Sequence, residues 1–195
     1  MLYINGIAIG VVESKNSRVS FGEGIRQLCS NQQPDFNAWF FSTVQLCFAG
    51  NDSEGLKYAT TGTPEKYYLQ WKEDEADNAG YKLDKYLLKL CDKHRIIELL
   101  RDFVLFDAGV KKVPRHNQYF GIKAAQDYVK RDEGGIIWHT QGSGKSITMI
   151  LLARWILAND PEARVAVITD RTKLDKQISD AVSYTHLTLP TIYSV

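Results

Sequence analysis

Apolar positions in this chain fall first into near-continuous runs and then into helical stripes. The opening stretch MLYINGIAIGVV is apolar except at Asn5-Gly6, and it ends at Glu13 and Lys15. It stops well short of the roughly 18 residues that a membrane span needs. No Lys or Arg precedes it and no small-residue cleavage site follows, so it is read as neither signal peptide nor anchor. Asn-Gly is the strongest short hairpin signal, which predicts two strands joined at Asn5-Gly6. FGEGIRQLCSNQ, from Phe21 to Gln32, places Ile25, Leu28 and Cys29 on one face and predicts a short helix. AWFFSTVQLCFA, from Ala38 to Ala49, is aromatic and β-branched and predicts a strand. Gly50-Asn51-Asp52-Ser53 predicts a turn and LKYATT another strand. KEDEADNAG, from Lys72 to Gly80, has no apolar period and predicts a surface loop or domain boundary. Two helices follow in YKLDKYLLKLCD and HRIIELLRDF, with Leu83, Leu87 and Leu90 at helical spacing.

After Phe106 the pattern alternates. Gln118 to Lys130 predicts a helix, and GGIIWH (Gly134 to His139) a short buried strand. A Gly-rich turn opens a helix from Lys145 to Ala158. RVAVIT (Arg164 to Thr169) predicts a second buried strand, and Arg171 to Ala181 a helix. Strand and helix in alternation, with continuously apolar strands, predict a parallel, doubly wound α/β sheet. The last 13 residues, SYTHLTLPTIYSV, carry no Asp, Glu, Lys or Arg and show no period.

Composition changes this picture little. The 195 residues are 44% hydrophobic, 24% charged and 11% aromatic, which excludes a disordered tail, a collagen-like fibre and a coiled coil. A net charge of +1 leaves any basic surface a local matter. Cys29, Cys47 and Cys91 form no CxxC pair, which argues against a disulfide framework or zinc knuckle and for a reducing cytoplasm.

The chemistry concentrates in Thr140-Gln141-Gly142-Ser143-Gly144-Lys145-Ser146, between a predicted strand and a predicted helix. Backbone N–H groups converge on a triphosphate only where glycines let the chain approach, and a helix N-terminus adds its positive dipole end. Lys145 can reach the β- and γ-phosphates and the Ser146 hydroxyl can ligate Mg²⁺. His139 stands where the full phosphate-loop pattern has a glycine. Upstream, the amide of Gln118, just after Arg115, can both donate to and accept from an adenine edge; polar residues crowd helix starts, so taken alone those residues favour a solvated helix start. Downstream, Thr169, Asp170 and Arg171 end the second predicted strand, where they suit either nucleic-acid phosphates or a helix cap.

A second candidate site lies at the end of the opening strands. Glu13 and Lys15, two apart, point the same way from a strand. A Mg²⁺-holding carboxylate beside an ammonium is a nuclease arrangement. An exposed ion pair uses the same spacing.

HTQGSGKS after GGIIW, followed by VITDRTKLDKQ, resembles the ATP-driven motor of the restriction (R) subunit of type I restriction–modification enzymes. INGIAIGVVESKN, EGIRQL and GNDSEGLKYATTGTPEKYYLQWK resemble the same subunit in the same order, so the likeness runs from Met1 to about Ala181. It implies an α/β chain with part of a PD-(D/E)xK nuclease domain over 1–72 and connecting helices over 73–105. The start of a RecA-like, helicase superfamily 2 motor then occupies 106–182. Residues 183–195 do not continue the family pattern and are expected to be a non-native tail. By the same resemblance, Glu13, Lys15 and Gln27 are nuclease residues, with Glu13 on the metal. Arg115, Gln118 and Thr140 to Ser146 bind ATP, with Ser146 on Mg²⁺, and Thr169, Asp170 and Arg171 touch DNA. The implied cofactors are ATP and Mg²⁺. The implied partners are double-stranded DNA and the methylation and specificity subunits, in the cytoplasm and without a membrane. The family's upstream metal-binding Asp, a DEAH-like carboxylate pair and a second motor lobe have no counterpart in this sequence. The alternatives are a fragment that binds ATP without turnover, and a helicase-like ATPase with no nuclease.

Overall fold

The hairpin forms where Asn-Gly predicts it. Strands β1 (Leu2–Ile4) and β2 (Ile7–Ser14) pair antiparallel across Asn5 and Gly6, whose φ angles of 48° and 81° are the left-handed values of a two-residue turn. Helix α1 (Phe21–Asn31) then carries the chain back, and β3 (Leu46–Asn51) pairs parallel to β2. Strand β4 (Gly55–Ala59) turns antiparallel onto β3, and β5 (Leu69–Gln70) closes the edge. The result is a five-stranded mixed sheet in the order β1-β2-β3-β4-β5.

The computed structural model describes residues 1–73, 76, 80–107 and 109–168. These belong to two units, Met1–Arg101 and Asp102–Val195. In the first unit, every residue of β3 is buried because helices cover both sheet faces. Ile25 and Leu28 of α1 pack with Phe41, Val44, Cys47, Ala49, Ala59 and Tyr68 on one face. Helix α2 (Lys82–Leu90) covers the other, with Leu83 directly against the backbone at Gly50. Helix α3 (Lys93–Glu98) follows, capped by the Asp92 carboxylate, which accepts from the His94 and Arg95 N–H groups.

The second unit starts with a small hairpin, β6 (Leu105–Asp107) with β7 (Val110–Lys112), turned at Gly109. Helices α4 (His116–Lys130) and α5 (Lys145–Asn159) follow and pack on each other.

Three expectations are corrected. Ala38–Ser42 forms a 3₁₀ turn, and only the end of AWFFSTVQLCFA becomes strand. Its consecutive bulky rings stack edge-on, Trp39 on Phe40 and Phe40 on Phe41, rather than alternating between two sheet faces. GGIIWH forms no strand and joins no sheet among the described residues; Ile136 and Trp138 are each 90% exposed. RVAVI likewise forms no strand, and Ile168 is 92% exposed. An apolar run becomes a buried parallel strand only between ladder partners and under helices on both faces. Here α4 and α5 bury their apolar residues on each other, so the doubly wound sheet is absent among the described residues. Residues 171–181 and 183–195 lie outside them.

Candidate functional site

In the first unit, Glu13 is the penultimate residue of β2, on the sheet face that α1 covers. The helix comes close there because its residue 24 is glycine: a Cβ on Gly24 would stand 3.3 Å from Glu13 Cγ. Lys15 lies one residue past the strand, yet its N–H still donates to the Gly50 carbonyl at 2.9 Å, which continues the ladder. The side chain therefore points the same way as Glu13. Lys15 Nζ donates to Glu13 Oε1 at 2.8 Å and to Gln27 Oε1 of α1 at 2.5 Å. The structure thus gathers Glu13, Lys15 and Gln27 into one cluster, with the Lys15 and Glu13 side chains only 20% and 22% exposed.

The β2 loop beyond Lys15 is fixed by Asn51 and Glu54. Asn51 Nδ2 donates to the Val19 carbonyl and to Glu54 Oε2, while Glu54 accepts from the Phe21 N–H at 2.7 Å and from Ser20 Oγ. Those bonds hold the Glu54 carboxyl below its ordinary range, the Phe21 N–H contributing most. No group of three His, Cys, Asp or Glu able to share a metal occurs among the described residues. A Mg²⁺ ion at Glu13 would take one carboxylate from this chain and fill its shell with water and phosphate oxygens, a mode that suits Mg²⁺.

In the second unit, Gly142 and Gly144 take φ angles of 76° and 84°, and Gly144 caps α5 from the left-handed region. Its carbonyl accepts from the Thr148 N–H and from Gln118 Nε2 at 3.0 Å. A Cβ at Gly144 would meet Gln118 Nε2 at 2.3 Å, so both the backbone conformation and the contact require glycine. Lys145 Nζ folds back on the carbonyls of His139 and Thr140, 3.1 Å from each. Arg115 reaches the same loop through the Gly142 carbonyl at 3.2 Å. Arg115, Gln118 and the loop are thereby joined in one network.

Gln118 has a job the sequence does not suggest. Its Oε1 accepts from the Arg115 N–H at 2.8 Å, closing the α4 cap, and its Nε2 holds Gly144. At 3% exposure it turns no open amide edge toward a base. A cavity of about 400 Å³ beside the loop is lined instead by Arg115, Asn117, Trp138 and residues 139–143. Asn117 and Trp138 escape a reading by motif, because Trp138 sits inside the run expected to be a buried strand. Thr169, Asp170 and Arg171 lie outside the described residues.

Residues 1–66 match the family Type I restriction enzyme R protein N terminus, and residues 117–191 match SWI2/SNF2 ATPase. The second match runs into the 183–195 segment that the resemblance leaves out. The chain therefore carries type I restriction R-subunit sequence, an N-terminal region of that family followed by an SNF2-like, helicase-type ATPase region. Among particular proteins, the Type I restriction enzyme HindI endonuclease subunit of Haemophilus influenzae is 35% identical over 60% of this chain and 13% of its own length. The putative MjaVIIIP endonuclease subunit of Methanocaldococcus jannaschii is 27% identical over 93% of the chain and 19% of its own length. The SauCOLORF180P endonuclease subunit of Staphylococcus aureus is 22% identical over 92% and 20%. The chain spans at most about a fifth of these relatives. No helix among the described residues is long and apolar enough to cross a membrane.

Proposed function

We propose that this sequence contributes two sites to a type I restriction R subunit: an ATP phosphate site at 140–146 and a DNA-cleavage cluster at Glu13, Lys15 and Gln27. The single observation that carries the ATP reading is the loop itself. Its two left-handed glycines, its position at the start of α5, and Lys145 resting on the loop's own carbonyls leave a cation ready to exchange those carbonyls for phosphate oxygens. Arg115 and Gln118 brace the loop, and Ser146 would supply a hydroxyl to the Mg²⁺ that accompanies ATP.

Among the described residues, no Asp or Glu lines the cavity beside the loop. A water attacking the terminal phosphate would find no base there, so the 195-residue chain binds ATP·Mg²⁺ without turnover. In the parent R subunit, ATP hydrolysis drives DNA translocation, residues Thr169 to Arg171 contact the DNA, and the methylation and specificity subunits choose the sequence.

In the cleavage cluster, the Glu13 carboxylate offers one metal-ligating oxygen. Lys15 holds a positive charge beside it, where charge grows on a phosphate under attack. Gln27 fixes the Lys15 ammonium from α1. A shared Mg²⁺ would polarise the scissile phosphate there. Equilibrium dialysis with labelled ATP tests the first site: the chain binds, Lys145→Ala does not, and neither releases phosphate. Steady phosphate release by the unaltered chain contradicts the binding-only reading, and equal retention of ATP by both proteins contradicts the site.

A further inference from the structure

Three residues beyond Lys15, Arg18 carries an unpaired charge on a loop whose backbone is held from both sides. The Val19 N–H donates to the Asn16 carbonyl at 2.8 Å and the Arg18 N–H to Asn16 Oδ1 at 3.0 Å. From the turn between β3 and β4, Ser53 Oγ donates to the Ser17 carbonyl at 3.0 Å and Asn51 Nδ2 to the Val19 carbonyl at 2.7 Å. The Arg18 side chain is exposed and makes no hydrogen bond or ion pair among the described residues. Cations on the α1 face of the sheet are spent by contrast: Lys15 on Glu13 and Gln27, Arg26 on Glu23 and Glu65, Lys57 over the Phe21 ring. Glu54 of the adjoining turn does not pair with Arg18, because the Phe21 N–H, Ser20 and Asn51 occupy its carboxylate. Across that turn, Lys82 opens α2, exposed and also without an ion pair among the described residues; a Cβ on Gly55 would stand 3.9 Å from its Cβ. Arg18 and Lys82 therefore flank the end of the sheet to which β2 delivers Glu13 and Lys15.

We propose that Arg18 holds the DNA phosphate next to the one presented to Glu13 and Lys15, and that Lys82 takes a phosphate farther along the same duplex. A planar guanidinium with all its donors free fits two phosphate oxygens at once, and a fixed backbone on either side sets where it stands. Contacts to phosphates place a duplex without reading its sequence. Both are positioning residues: they touch neither the metal nor the scissile bond. The proposal rests on the cleavage reading above and adds the path of the DNA across that end of the sheet.

The test follows binding of a fluorescent duplex of about 30 base pairs to the full chain by anisotropy, over a range of KCl concentrations. The variants are Arg18→Ala, Arg18→Lys, Lys82→Ala and, as a control, Lys93→Ala, an exposed cation past the far end of α2. Arg18 has no side-chain partner to lose, so its removal leaves the fold intact, and circular dichroism checks that. Arg18→Ala and Lys82→Ala are each expected to weaken binding about fivefold and to lower the slope of log affinity against log salt by about 1. Arg18→Lys keeps the charge and is expected to restore the slope, and Lys93→Ala to match the parent. Affinity and slope unchanged in Arg18→Ala overturn the proposal. So does a parent chain that does not bind the duplex, or an equal loss in Lys93→Ala, which would mark general charge attraction. In an assembled R subunit, Arg18→Ala is expected to cleave about fivefold more slowly at ordinary salt and to recover as salt falls; cleavage unchanged at every salt overturns the positioning role. Failure of the cleavage reading shows elsewhere, as normal cleavage by Lys15→Ala.

Discussion

Gln118 Nε2 donates to the Gly144 carbonyl at 3.0 Å, tying the first turn of α4 to the last residue before α5. The other end of the same amide caps α4 at the Arg115 N–H. One buried side chain therefore sets the spacing between a helix start and a glycine-rich loop 26 residues later.

Gln118→Ala strips both bonds, leaving the Arg115 N–H without its cap and the Gly144 carbonyl held by Thr148 alone. It is expected to cost the second unit about 1–2 kcal/mol and to weaken ATP by loosening the loop. Gln118→Glu keeps an acceptor for Arg115 but sets an oxygen against the Gly144 carbonyl, so it regains part of the stability and none of the affinity. Urea denaturation and ATP titration of both variants check this; an alanine variant as stable as the parent contradicts the strut.

Arg95, Glu73 and Trp71 make a second local latch, within the first unit. Glu73 Oε2 accepts from Arg95 at 2.6 Å and from the Trp71 indole at 2.9 Å, and Arg95 also donates to the Lys89 carbonyl. The Arg95 and Glu73 side chains are 22% and 15% exposed, so solvent screens the pair in part. Arg95→Ala is expected to destabilise the unit by about 1–3 kcal/mol, chiefly through groups left unpaired. Thermal unfolding followed at the tryptophans measures it, and a shift no larger than that of an exposed control such as Arg18→Ala contradicts the latch.

Glu54 gives the first unit an acid limit. Its carboxyl is held below the ordinary range chiefly by the Phe21 N–H, then by Asn51 and Ser20. A folded-state pKa below the unfolded one means stability that is full above the ordinary carboxylate range and lost as pH falls through the lowered value. Glu54→Gln is thus expected to be less stable than the parent at about pH 7 and to approach it at about pH 3. Urea midpoints across that range decide it; a constant gap contradicts the contribution.

The sequence makes legible what depends on neighbours in the chain. Asn5-Gly6 sets its hairpin, the Ile25–Leu28 stripe its helix, and Glu13 and Lys15 their common side, because strand alternation needs no distant partner. What depends on distant partners is not legible. Ile136 and Ile168 look like buried strand residues, but burial requires a ladder that local composition cannot supply. The β6–β7 hairpin is missed because three-residue strands carry too little alternation to register. The glycine-rich loop at 140–146 is plain from the sequence, whereas the use of Gln118 as a strut emerges only once α4 and α5 are side by side.

The proposed separation of a cleavage site from an ATP site is tested by measuring DNA cleavage and ATP hydrolysis together in an R subunit carrying this sequence, assembled with its methylation and specificity subunits, with and without Lys15→Ala. Removing the ammonium that Glu13 and Gln27 hold is expected to reduce cleavage by at least about a hundredfold and to leave ATP hydrolysis unchanged. Undiminished cleavage by the Lys15→Ala protein would contradict the account and leave Glu13 and Lys15 as a surface ion pair.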